Sequence, residues 1–128
     1  KSYLEIFSNE SRRDGINFIV KSKSGNYHEI SLQSMNLDEE RTIKIPKTEL
    51  GFELKENLWI VLVLFMKEME PAIYLIPSKV FENPTEIFLN NEQSERFRHL
   101  SNWEIKVFTK AIPELSQHAF STMVTKLQ

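Results

Sequence analysis

The sequence predicts an α/β domain with a mixed central sheet of about five to six strands and a C-terminal helix. Three observations carry this. Residues Gly15 to Ser34 alternate in character on both sides of Ser24-Gly25-Asn26, as the two arms of a hairpin do. Leu58–Met66, LWIVLVLFM, is apolar on both faces, as a strand covered from both sides must be. Pro113 then opens a segment running to about Lys126 whose apolar residues recur at helical spacing.

In chain order, Tyr3, Ile6 and Phe7 either begin a strand or finish a helix, and Ser8 to Asp14 reads as an exposed loop. The hairpin follows, with strands Ile16–Lys21 and Tyr27–Gln33. A three-residue loop pairs Lys23 with Tyr27, and so sets Lys21 opposite Glu29, Ile19 opposite Ser31 and Asn17 opposite Gln33. One face then gathers Asn17, Glu29, Ser31 and Gln33, while Phe18, Val20, Ile30 and Leu32 fill the other. A one-residue slip would turn every one of these side chains over.

The order G-I-N-F-I-V-K, turn glycine, Y-H-E-I-S-L-Q-S resembles the PD-(D/E)XK nuclease-like (restriction-endonuclease-like) superfamily. It is most similar to an uncharacterised bacterial branch whose second strand ends in E-I-Q-V-K-S. The later run LWIVLVLFMKEMEPAIYLIPSKVF, with its Y-L-I-P-S ending, resembles the next strand pair of that branch, and the likeness of pattern and order spans roughly residues 14 to 125. The resemblance implies a restriction-endonuclease-like core. It also implies a site in which a first-strand Asp and a second-strand Glu, Asp or Gln hold Mg²⁺, with a Lys two residues on. Oxygen ligands suit that ion, which polarises phosphate and helps supply hydroxide. The matching positions here are Asn17, Ser31 and Gln33, and all three depart from the pattern. Asn17 lacks charge, Ser31 is too short to replace a glutamine, and Gln33 is not cationic. The superfamily also places a helix before the first strand. Too little chain lies upstream for one, which implies a helix lost, shortened or outside this chain.

Beyond the hairpin, Asp38-Glu39-Glu40 belongs to a polar connection and reads as a solvated loop rather than a metal site. Thr42–Ile45 is a short strand stopped by Pro46, and Lys47–Glu56 a helical turn or two around Gly51. Leu58–Met66 and Ala72–Ile76 form a second hairpin. Ser78–Phe81 is a helical turn with Ser78 as N-cap, Ile87–Leu89 a short edge strand, and Asn90–Ser101 a charged segment without period. Trp103–Thr109 alternates as a strand. In the last helix Ile112, Leu115, Ala119, Phe120, Met123, Val124 and Leu127 share one side.

Composition narrows the function. At 128 residues, with 41% apolar and 27% charged side chains, the chain is one domain, 1–128, able to bury a core. A net charge of −2 is no footprint of a nucleic-acid binder, so any basic surface is local. Arg12, Arg13, Lys21 and Lys23 are the residues that could contact phosphate. No cysteine is present, which removes disulfides and thiolate chemistry and fits the cytoplasm. The longest apolar run has 9 residues, against roughly 20 for a membrane span. No signal-peptide pattern opens the chain, and the missing initiator Met points to a trimmed or partial chain.

The remaining candidates have plainer readings. Glu29 is the one carboxylate on the motif face and could hold a metal alone, but a cross-strand ion pair with Lys21 explains it better. Asp14 can replace the missing strand Asp or serve as a turn acid. Lys44 and Lys47 can stand in for the absent motif lysine, though solvent is where lysine usually sits. His28, His99 and His118 show no zinc spacing, and 3 glycines exclude the glycine-rich phosphate loops. Trp59 and Trp103 lie in strand patterns and read as core. The expectation is a nuclease-fold domain without catalysis, needing no cofactor and kept as a nucleic-acid-binding or protein-interaction module. Two alternatives stand beside it. One is an active Mg²⁺-dependent nuclease whose ligands have moved to Glu29 with Asp14 or an upstream acid. The other is a homodimeric structural or regulatory protein that associates through its C-terminal helix.

Overall fold

The strands that alternation marks out all form. A computed structural model, which describes residues 4–8 and 16–127, contains β1 (Leu4–Ser8), β2 (Phe18–Ser22), β3 (Tyr27–Asn36), β4 (Thr42–Pro46), β5 (Leu58–Phe65), β6 (Ala72–Pro77), β7 (Phe88–Asn91) and β8 (Asn102–Lys106). Five make a mixed sheet in the order β1-β2-β3-β5-β6, with β3 and β5 parallel and the other pairs antiparallel. The remaining three form a separate antiparallel sheet, β4-β8-β7. Period-two patterning identifies a strand but not its partners, so this second sheet leaves no mark in the sequence. Residues 4–8, upstream of the hairpin where the resemblance implies a helix, are a strand.

Apolar side chains on both faces of β5 are what fix the layers. Leu58, Ile60, Leu62 and Leu64 point into the main core, where they meet Ile43, Ile45, Phe88, Trp103 and Ile105 of the three-stranded sheet. Trp59, on the other face, joins Val20, Ile30, Leu75, Met123 and Leu127 in a second, smaller core. The five-stranded sheet is thus covered by a sheet on one side and by the C-terminal segment on the other.

The hairpin pairs as expected in kind but not in register. Lys21 sits opposite Tyr27 and Ile19 opposite Glu29, two residues from the expected alignment. Gly25 explains the shift. Its φ of 93° places it third in the loop Lys23-Ser24-Gly25, where a residue in left-handed geometry closes a three-residue turn, and its N–H donates to the Ser22 carbonyl at 2.9 Å. Centring the loop on Gly25 would put this conformation at the wrong position. An even shift leaves the faces unchanged, so Glu29, Ser31 and Gln33 still share a side. That side faces the main core. On the other, Val20 and Ile30 are buried and Phe18 packs against them, but Leu32 is 41% exposed instead of filling a core.

The C-terminal helix is broken. It forms α1 (Ile112–Ser116, with Pro113 in its first turn), then α2 (Phe120–Met123) and a 3₁₀ turn, Val124–Leu127. Between α1 and α2, Ala119 is extended at ψ 135° and bridges to Tyr74, while Leu75 donates its N–H to the His118 carbonyl at 2.8 Å. Satisfying the outer edge of β6 outweighs helical continuity. The apolar stripe divides accordingly: Leu115 enters the main core, Met123 and Leu127 the second, and Ile112 and Phe120 stay exposed. Ser78 likewise is no N-cap. Buried, it donates its hydroxyl to the Lys55 carbonyl at 2.8 Å and accepts from the Lys55 N–H at 3.3 Å, tying the loop before β5 to the end of β6.

A Cβ at Gly25 would meet nothing within 4 Å, so a substitution there tests backbone strain alone. Gly25→Ala is expected to cost about 1 kcal/mol in denaturant unfolding, and Gly25→Asn less, because asparagine tolerates positive φ.

Candidate functional site

The three motif positions meet in one neighbourhood, and each is occupied with structural bonding. Asn17 lies just before β2, where its own N–H donates to the Ile30 carbonyl at 2.8 Å. Its Oδ1 accepts the Leu32 N–H, also at 2.8 Å. The side chain therefore substitutes for backbone at the end of the β2–β3 ladder instead of standing on the polar face as expected. Ser31 faces Ile60 of β5 and is 0% exposed. Gln33 donates its amide to Ser31 Oγ at 3.2 Å, satisfying a hydroxyl that burial would otherwise penalise.

Glu29 does not pair with Lys21. The register puts it opposite Ile19, and its carboxylate reaches Lys55 Nζ at 3.3 Å instead. Lys55 lies outside every motif, and what presents it is the Ser78 clamp on its backbone. Both ends of the pair are partly exposed, so it contributes about 0.2–1 kcal/mol. Lys21 packs its ammonium over the Tyr27 ring, 5.6 Å from the centroid. Lys23 is exposed at the hairpin tip. Arg12, Arg13 and Asp14 lie outside the described residues. In the acidic triplet, Asp38 accepts the Lys67 N–H at 2.8 Å and so tethers the β5–β6 turn.

This donor set does not fit the Mg²⁺ that the resemblance implies. A divalent cation needs free, mostly charged oxygens. Here the Asn17 oxygen is spent on a backbone N–H, Ser31 Oγ receives an amide donor inside the core, and an ammonium holds the Glu29 carboxylate. Among the described residues, no three His, Asp or Glu side chains gather at metal-binding distance.

Of the two substitute lysines, Lys44 is exposed, but Lys47 is not in solvent. Only 4% exposed, it lies over the Trp103 ring at 5.1 Å and bonds to Asn90 Oδ1 and Glu92. It sits on the three-stranded sheet, where it binds the 3₁₀ turn Lys47–Leu50 to β7 and its exit. Neither Asn90 nor Glu92 stands out in its unpatterned segment, so sequence alone could not find this contact.

Two histidines are partly buried. Trp59 donates its indole N–H to His28 Nδ1 at 3.0 Å, which assigns the proton of the neutral ring to Nε2. Burial lowers the His28 pKa below its ordinary 6.5, with the Leu127 carbonyl opposing. Burial also lowers that of His118, where Glu114 opposes and Lys126 adds.

No family model, curated protein or solved structure matches this chain at a significant level. Among the described residues, no helix is long and apolar enough to cross a membrane.

The histidines give a pH dependence with a definite sign. Their folded pKa values lie below the unfolded one, so between the two the unfolded chain binds more protons. Their contribution is complete above about 6.5 and falls away as pH drops below it. Unfolding free energy measured between pH 7.5 and 5.5 (about two pH units) should therefore decline on acidification. His28→Gln and His118→Gln should each flatten part of that decline.

Proposed function

We propose that this chain is a catalytically silent PD-(D/E)XK-like domain that acts as a binding module, with protein rather than nucleic acid as its partner class. The observation that carries the reading is the bonding at Asn17, Ser31 and Gln33. The three residues at the motif positions come together on one hairpin, yet each is spent on holding the hairpin to itself or to the core. Each position lacks a different part of the reaction, and losing one group of an electrostatic site already costs on the order of 10²–10³ in rate. A restriction-endonuclease-like core is part of the same proposal, and its support is the mixed sheet built around the hairpin. A protein partner is favoured by the net charge of −2 and by Lys21, whose ammonium is engaged with Tyr27.

The test is calorimetric titration with Mg²⁺ and Mn²⁺ beside a plasmid-nicking assay. Neither binding nor nicking is expected. Cleavage that disappears in Glu29→Ala would establish an active nuclease with relocated ligands instead.

A second measurement reads the closed position directly. Ser31→Gln, which restores a motif side chain, forces a larger residue against Ile60 in a packed core. It should destabilise the domain by about 1–3 kcal/mol in urea unfolding. A neutral Ser31→Gln would mean that the face is open and the reading wrong.

A further inference from the structure

The two edges of the five-stranded sheet are treated differently. An edge strand presents unpaired N–H and C=O groups, and soluble proteins cover, shorten or charge such edges. At β6 the chain covers its own edge with His118 and Ala119. In the smaller sheet β4 carries an exposed Lys44 and ends in Pro46, and β7 has only four residues. For β1 no cover is found among the described residues. Four of its five residues are exposed, with Ile6 at 66% and Phe7 at 48%.

Pairing with β2 sets Leu4 and Ile6 on the same face as Val20 and Phe18. There they form one wall of an open, wholly apolar groove of about 230 Å³, whose other wall includes Phe120, Val124 and Leu127 of the C-terminal segment. The groove reaches the uncovered edge at Ile6.

We propose that β1 pairs antiparallel with β1 of a second copy about a two-fold axis through Ile6, joining the two sheets into one. The outer edge of β1, unpaired among the described residues, calls for a strand, and a second β1 supplies one without opposing like charges. In this register Ile6 meets its counterpart on the groove side, Leu4 faces Ser8, and Glu5 faces Phe7. No like charges stand opposite each other, whereas a register centred on Glu5 would oppose two carboxylates. The two grooves become continuous across the axis, and the exposed Ile6 side chains are covered. A five-residue strand buries less than the roughly 1,200–2,000 Å² of a standard interface, so the dimer forms and dissociates with concentration. This pairing is independent of the hairpin's ancestry, and a different measurement reads it.

Sedimentation velocity over the micromolar range tests it. The wild-type chain should shift from monomer to dimer as concentration rises. Ile6→Lys, a charge at an exposed position, should stay monomeric throughout with an unchanged unfolding midpoint. Since the chain has no cysteine, a single one reports contact cleanly. Ile6→Cys should form a disulfide-linked dimer at least about tenfold faster than Ile73→Cys on β6, because pairing brings the two sulfurs together. A monomer at every concentration, a dimer that survives Ile6→Lys, or equal cross-linking of the two cysteine variants would each overturn the proposal.

Discussion

The structure depends on β5 being apolar on both faces. A strand with one wet face needs a single covering layer, but Leu58, Ile60, Leu62 and Leu64 on one side and Trp59 on the other need two. Each such side chain contributes about 1.5–3 kcal/mol on full burial, so leaving either face open would forfeit a large part of a domain's net stability. The three-stranded sheet meets the first requirement and the C-terminal segment meets the second. The position of β5 between β3 and β6 follows, since only an interior strand can be covered on both faces and paired on both edges.

The second layer is where local preference gives way. A continuous helix after Pro113 would place Leu115, Met123 and Leu127 on one stripe, able to serve only one surface. The chain instead breaks at Ala119, lends the His118 carbonyl to Leu75, and sends Leu115 into one core and Met123 and Leu127 into the other. An unpaired backbone edge costs more than a few helical hydrogen bonds that can be replaced. The same connection partly buries the His118 ring and brings Leu127 beside His28, so the partial burial of both histidines follows from sealing that edge.

Strand positions were legible in the sequence because each depends on its own residues: the alternation around Gly25, the run at Leu58, and the prolines at 46 and 77. The hairpin register was legible only to within two residues. It turned on which loop position takes positive φ, and alternation says nothing about that. Faces survived the error because the shift was even, so Ser31 and Gln33 were correctly grouped. What could not be read were contacts between distant segments that are each locally unremarkable. Lys55 reaches Glu29 because Ser78 holds its backbone, and Lys47 is buried because Asn90, Glu92 and Trp103 converge on it. Three segments must be in place before either lysine has its partners, and only Lys47 leaves water to reach them.

The buried hydroxyl of Ser31 links packing to the proposed loss of catalysis. In an open catalytic face, the position would carry a long polar side chain reaching toward a metal, with solvent above it. Here it lies opposite Ile60, a fully buried residue of the main core. A side chain at that point must be small for the core to close, and its hydroxyl must find a partner, which Gln33 supplies from two residues along the same strand. Asn17 completes the arrangement by turning its amide oxygen into the ladder to accept the Leu32 N–H. On the proposed reading, the residues that remove metal binding are therefore those that let the sheet be covered. A long ligand at 31 and a closed core cannot coexist, and this chain has the closed core.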